Sequence, residues 1–399
     1  MNPGNKPPLE ANAPINPGSD AHPAGMRQRG ERPVPALLHH CSALLHAMYD
    51  GGSGLFSYST RIVGGSYVND FQHPLKLRYT INTLLGIQQA LQFYPLDWEL
   101  DRLIEQFLRA NRSAITNPAD CGLTLALLAR ANDPRQQEFI NQIQKILEGS
   151  NANNLSAQDL GWMLFGCTNA ARIGQRQADK DLADELYRTI RDRLIVPETG
   201  LPHFSLTGLR RRCTSFGGVV YILQSLAEYG STFQNEEAVA LFRHGASTVI
   251  GLQGPQGEWP WFIDAKRGTV LDWYQVYSVH QDAMAMLWLF PALDFGMEQA
   301  RPAIERSYRW LFGNNQIGAS MMKRDPFFIH RSHRRDEPLE RPRRLARSAV
   351  SILLHRPSRL RATGITLNPE CRSYHIGWIL YAWAGREGFA EFTELELLQ

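Results

Sequence analysis

Residues Gln253–Asp282 hold the chain's densest run of side chains able to do chemistry. Residues 253–264 read Gln-Gly-Pro-Gln-Gly-Glu-Trp-Pro-Trp-Phe-Ile-Asp, and 272–282 read Asp-Trp-Tyr-Gln-Val-Tyr-Ser-Val-His-Gln-Asp. Three of the nine tryptophans fall here, Trp259, Trp261 and Trp273, beside Glu258, Asp264, His280 and Asp282. Indole faces stack on the C–H face of a pyranose, and carboxylates bind or protonate its oxygens. The same faces would also attract a carbocation through the ring quadrupole. His280 and Asp282 therefore stand as the principal catalytic pair, with Asp120 or Asp159 as second carboxylate. Two carboxyls facing one cleft divide into acid and base when their surroundings push the pKa values apart. Trp259 and Trp261 form the expected platform, with Glu258, Asp264 and Tyr277 as substrate contacts.

A second group opens other helical runs. Arg78-Tyr79 begins the first, and Arg372, Tyr374 and His375 begin the last. Arginine beside tyrosine and histidine suits neutralising a uronate and abstracting the adjacent proton, which is lyase or epimerase chemistry. Asn315 enters the same region after a Gly313-Asn314 helix stop. Asp282 and His375 have no third ligand at useful spacing, so no metal and no cofactor is expected.

These residues need a scaffold, and the chain supplies a repeated one. Six apolar, small-residue-rich runs each begin on a polar residue, at Arg78, Asp120, Asp159, Ser215, Asp282 and His375. A helix apolar all round is buried on every side. Between them lie amphipathic segments: Leu100, Leu103, Ile104, Phe107 and Leu108 follow the i, i+3, i+4, i+7, i+8 stripe of a half-exposed helix. Similar stripes occur near 139–147, 182–194, 235–251 and 298–312. The expected fold is all-α, an (α/α)6 toroid of six hairpins in inner and outer rings. The helix near 35–49 should close the ring against the one near 375–386. Inner-to-outer loops are short and outer-to-inner loops long, so the long loops share the face where the inner helices begin.

This alternation over 34–399 resembles the toroid of six-hairpin glycosidases, terpenoid cyclases and prenyltransferase β subunits. Gln253 to Trp259 resembles the Q-x(2–5)-G-x-W repeat of the cyclases. Tyr374-His375 with Tyr381-Ala-Trp-Ala-Gly385 is similar to the zinc-histidine helix of the prenyltransferases. The acidic DxDD motif is absent, and Asp282 is followed by Ala283-Met284 where the prenyltransferases carry Asp-x-Cys. The sugar-handling branch fits better. It implies hydrolysis, elimination or epimerisation of an acidic or lipid-linked glycan. Terpenoid or prenyl chemistry in the same cavity is the alternative, and a non-catalytic glycan-binding scaffold a third.

The bulk numbers bound the rest. Residues 1–33, rich in Pro, Gly and Asn, read as a disordered tail. The five cysteines, Cys41, Cys121, Cys167, Cys213 and Cys371, form no CxxC pair and fit reduced thiols in the cytoplasm. No apolar run reaches the roughly 18 residues of a membrane span, and no signal core opens the chain. Net charge is +3, yet residues 323–361 carry twelve Lys or Arg against four acids, +8, leaving the remainder at −5. Within this basic insertion, 341–361 interleaves arginine with Leu, Val and Ile. It predicts peripheral contact with an anionic membrane surface, at the inner membrane, or with an acidic polymer. No nucleic-acid-binding motif accompanies the charge.

Overall fold

The computed structural model describes residues 33–335, 339–360 and 364–395; the expected N-terminal tail lies outside them apart from Pro33. Helices come in pairs. The inner members are α2 (Lys76–Ala90), α4 (Pro118–Arg130), α6 (Ala157–Gly174), α8 (Phe216–Phe233), α10 (Met286–Asp294, entered through a π-turn at His280–Met284) and α13 (Ser373–Trp383). The outer members are α3 (Leu100–Asn111), α5 (Gln136–Glu148), α7 (Gln177–Thr189), α9 (Glu236–Ile250), α11 (Ala300–Arg309) and α1 (Ala36–Met48). Each inner helix packs on the next, and α13 packs back on α2, so the inner ring closes. The helix α1 packs on α13, completing the sixth pair with the first helix and the last long one among the described residues.

Burial follows the sequence pattern. Every residue of α6 from Leu160 to Ala170 is buried, whereas α3 buries only Leu103, Ile104, Phe107 and Leu108. Small residues let the inner helices approach closely. A methyl group placed on Gly86 would lie 2.0 Å from the Gly377 carbonyl oxygen, and one on Gly166 would lie 2.2 Å from that of Gly122. The α2–α13 and α4–α6 seams therefore require glycine.

The long outer-to-inner loops are more ordered than the sequence suggests. They fold into small antiparallel sheets: Ser59–Val63 with Ser66–Asp70; Cys213–Ser215 with Phe262–Asp264 and Thr269–Asp272; and Val276–Tyr277 with Ser332–Arg335 and Ile365–Asn368. Short runs such as Phe262-Ile263-Asp264 are too brief to declare themselves by periodicity, and pairing across distant loops creates the strands. The basic insertion contributes the helix α12 (Glu340–Leu354), and a last short helix, α14 (Ala390–Thr393), covers α1. All five cysteines are free and buried. Among the described residues no helix is long and apolar enough to cross a membrane.

Candidate active site

A cavity of about 280 Å³ opens at the N-terminal ends of the inner helices. Four of those helices present an i, i+4 pair to it: Arg78 and Asn82, Gln158 and Trp162, Gly217 and Tyr221, His280 and Met284. Residues four apart stand one above the other on a helix face, so each pair forms one stave of the wall. Tyr79, Ser215, Trp261, Tyr277, Arg331 and Tyr374 complete the lining apart from Leu75.

The walls are largely aromatic and the polar groups converge between them. Tyr79 and Tyr374 lie with ring centres 4.2 Å apart, and Trp162 and Tyr221 4.1 Å apart. Trp261 stacks on His280, 5.6 Å between centres and 14° between planes. The Arg331 guanidinium sits 5.4 Å over Tyr277, and that of Arg78 5.5 Å over Trp162. Arg78 also donates to Asp120 and, at 2.7 Å, to Asn117, which hold its head at the rim.

Burial sets the protonation states. His280 is 3% exposed, and its Nδ1 has no hydrogen-bond partner. Desolvation, helped by nearby His375, pushes its pKa down to about 3, so the imidazole is neutral. Burial moves the Tyr79, Tyr221 and Tyr374 phenols upward, so they stay protonated and can donate. No Asp or Glu lines the cavity among the described residues.

The residues expected from sequence divide into two groups. Arg78, Tyr79, Trp261, Tyr277, His280 and Tyr374 meet in the cavity. The others do not line it, each for a local reason. Asp282 is 1% exposed and accepts from His375 Nε2 at 2.6 Å, and the Trp383 indole donates to the Asp282 carbonyl. Burial raises the Asp282 pKa against the pull of His375. Trp259 is wholly buried between Phe216 and Trp288, and its indole donates to Ser307 at 2.8 Å.

The remaining expected carboxylates have partners outside the cavity lining or at its edge. Asp159 closes a capping box with Ser156 at the start of α6. Asp120 is tied to Arg78, its pKa raised by burial and pulled back by that arginine. Glu258 is fully buried and accepts from the Gln256 backbone, inside its own loop. Asp264 forms a two-pronged pair with Arg212. Arg372 stacks 3.6 Å over Tyr58 and bonds to Glu370. Asn315 bonds to the carbonyls of Trp310 and Ala319 in a turn.

Sequence reading did not single out Arg331, Trp162, Asn82, Gln158, Tyr221 or Met284 as site residues. All but Arg331 carry a signal, because each is the upper or lower member of an i, i+4 pair. Arg331 sits among the basic residues of 323–361 with nothing local to set it apart.

A larger cavity, about 480 Å³, opens at the opposite ends of the inner helices. Its charged groups are spent on one another. Arg386 pairs with Asp294 at 2.9 Å, and Arg130 donates to Gln89, Asn169 and Tyr381. In the smaller cavity Arg78 is paired with Asp120 and Arg331 with Glu370 at 3.2 Å, while His280 Nδ1 is left without a hydrogen-bond partner.

The chain matches no family model and no curated protein. Solved structures do share its architecture. The α-1,6-mannanase GH76A of Salegentibacter sp. HEL1_6 superposes with a TM-score of 0.56 at 12% identity, over 90% of this chain and 98% of that one. The fold is an (α/α)6 toroid. A cellobiose 2-epimerase from Bacillus thermoamylovorans B4167 gives 0.57 at 11% identity, over 86% and 95%. A glycosyl hydrolase family 88 protein from Bacteroides vulgatus gives 0.53 at 10%, over 89% and 97%. At these identities the likeness concerns the toroid alone.

Proposed function

We propose that this toroid acts on an acidic glycan by proton transfer at carbon, as a lyase or an epimerase. The observation that carries this is a cavity with two arginines, a neutral histidine and several protonated phenols, but no carboxylate. Glycoside hydrolysis ordinarily needs a pair of carboxyls flanking the bond. A mannanase of this fold was made inactive by replacing two adjacent aspartates, and this sequence contains no two consecutive aspartates. Proton abstraction beside a uronate carboxylate needs what the cavity does hold. Arg78 and Arg331, reinforced by the positive ends of the inner helices, offset the growing charge on the carboxylate.

His280 is the base in this reading. Its low proton affinity rises when an anionic sugar binds beside it, because a nearby negative charge favours the imidazolium. His280 takes the proton from the carbon next to the carboxylate. In elimination, the electron pair forms a ring double bond and expels the glycosidic oxygen, which takes a proton from Tyr79 or Tyr374. In epimerisation, a phenol returns a proton to the opposite face of the same carbon. Trp261, only partly buried, offers a flat face for the sugar ring.

The arginines, amides, histidine and phenol hydroxyls set between the aromatic walls support sugars over isoprenoids, which need a sleeve without such groups. In this reading residues 34–399 act as one toroidal unit bearing the 323–361 insertion. The five free buried thiols support a reducing, cytoplasmic setting, with an anionic surface or polymer as partner of 341–361.

The test is incubation with uronate-containing polysaccharides in deuterated water. Growth of the ultraviolet absorbance of an unsaturated uronate marks elimination. Deuterium entering the carbon beside the carboxylate, without chain cleavage, marks epimerisation. Cleavage of neutral glycans with neither signal would overturn the reading, and binding without turnover would leave a glycan-binding scaffold.

A further inference from the structure

The helix α12 is built inside out. Leu345, Ala346, Ala349, Val350, Leu353 and Leu354 recur at i, i+1, i+4, i+5, i+8 and i+9, the spacing of a single helix face, and all six are exposed. Leu353 is 74% exposed and Leu354 59%. The inward face is mainly polar, with Ile352 packed among it. Arg344 lies 5.5 Å over Phe262, Ser348 is buried, and Arg347 approaches Asp272.

A second element repeats the arrangement on the same rim. The loop Gly208-Leu209-Arg210-Arg211-Arg212 exposes Leu209 completely, and Arg210 reaches over the same Phe262 ring, 6.0 Å from its centre. Exposed basic residues border both elements, among them Arg211, Arg343, Arg356 and Arg359. The neighbouring acids Asp264 and Asp272 are buried and paired with arginine. Apolar side chains standing clear of a basic rim fit a surface that is anionic at the top and apolar beneath.

We propose that α12 and the Leu209 loop dock this rim onto an anionic lipid bilayer, with the leucines entering the headgroup boundary and the arginines meeting the phosphates. A second copy of the chain fits less well, because a self-complementary pairing would bring the basic rims together. An acidic polysaccharide would leave the leucines without a partner. Phe262 follows Trp261 in sequence, so the docked rim is the one that carries the cavity mouth. Glycans presented at a membrane then reach the cavity from the docked side. The docking shares its partner with the proposed function but not its chemistry, so each can fail alone.

The experiment is co-sedimentation of the full chain with vesicles of phosphatidylcholine alone and of phosphatidylcholine with phosphatidylglycerol, at low and high salt. Wild type should bind the phosphatidylglycerol vesicles at low salt, bind neutral vesicles far less, and lose affinity as salt rises. Leu209→Ser with Leu353→Ser and Leu354→Ser should lower binding about tenfold or more, as should Arg343→Gln with Arg356→Gln. Both variants alter exposed side chains, and unchanged circular dichroism and melting would show that they fold. Three results would overturn the proposal: no binding to anionic vesicles, equal binding by the leucine variant, or a leucine-dependent dimer in place of vesicle binding. Binding to a soluble polyuronate with none to vesicles would also overturn it. No turnover is measured, so the outcome is independent of the proposed reaction.

Discussion

His375 Nε2 donates to Asp282 Oδ1 across 2.6 Å, and neither residue faces the cavity that their sequence neighbours Tyr374 and His280 line. The pair is sealed from solvent, with Asp282 1% and His375 2% exposed. Cys41 of α1, Tyr308 of α11 and Cys371 are close enough to feel the Asp282 charge. This places the pair towards the outer helices, where it ties α13 to the turn that aims His280.

Removing one partner of this bond strands the other in the core. Asp282→Ala should cost about 2 kcal/mol, the penalty of a buried polar group left unsatisfied. Asp282→Asn keeps an acceptor for His375 and should cost less than half as much. Urea denaturation measures both. Should Asp282→Asn abolish turnover with stability intact, the aspartate has a catalytic role that its sealed position does not suggest.

His280→Gln should remove turnover while leaving the fold in place. The histidine also has a pH signature. Its folded pKa, about 3, lies below the ordinary value of 6.5, so between these values the unfolded chain binds the extra proton. Its contribution to stability is complete above pH 6.5 and is lost as pH falls towards 3, by at most about 1.4 kcal/mol per pH unit. Denaturation between pH 4 and 7 should show a shallower slope for His280→Gln than for wild type. Equal slopes would mean that His280 titrates normally in the fold.

Arg78 and Arg331 face the cavity from opposite parts of the chain and should share recognition of the anion. Arg331→Met should raise KM for a uronate substrate roughly tenfold to a hundredfold, the worth of a charge-assisted hydrogen bond. Arg78→Met should do the same; each change also leaves a carboxylate without its arginine, Asp120 for Arg78 and Glu370 for Arg331, costing some stability. Steady-state kinetics on charged and neutral substrates separates the two effects. An unchanged preference for the charged substrate would remove the arginines from recognition.

The ring depends on glycine at its seams. An alanine normally favours a helix over glycine by about 1 kcal/mol. At Gly86 the added methyl would meet the Gly377 carbonyl oxygen at 2.0 Å, which forces the helices apart. Gly86→Ala and Gly166→Ala should therefore destabilise by about 2 kcal/mol or more. Gly388→Ala, where nothing lies within 4 Å, is the control and should be near neutral. Thermal melting of the three variants decides the matter.

The sequence by itself determined the ring. Apolar runs such as Leu160 to Ala170 leave a helix no solvent face, and stripes such as Leu103 to Leu108 leave it one, so the helices must nest in two layers. The polar residue at the head of each run then has to stand near the rim, which is why Arg78, Tyr79 and Tyr374 were legible as cavity residues. Tertiary structure decided which close neighbours face inward. His280 and Asp282, two residues apart on a helical turn, point to nearly opposite sides, so the histidine enters the cavity and the aspartate enters the core. Trp259 and Trp261 flank Pro260, and the bend there sends one indole into the core and the other over His280. Glu258 folded back on the Gln256 backbone of its own loop, and Asp264 found Arg212, a partner that no local spacing announces. Arg331 reached the cavity only because the strand Ser332–Arg335 pairs with Val276–Tyr277. Periodicity records how much of an element is buried; which neighbour a charge meets depends on contacts between segments far apart in the chain.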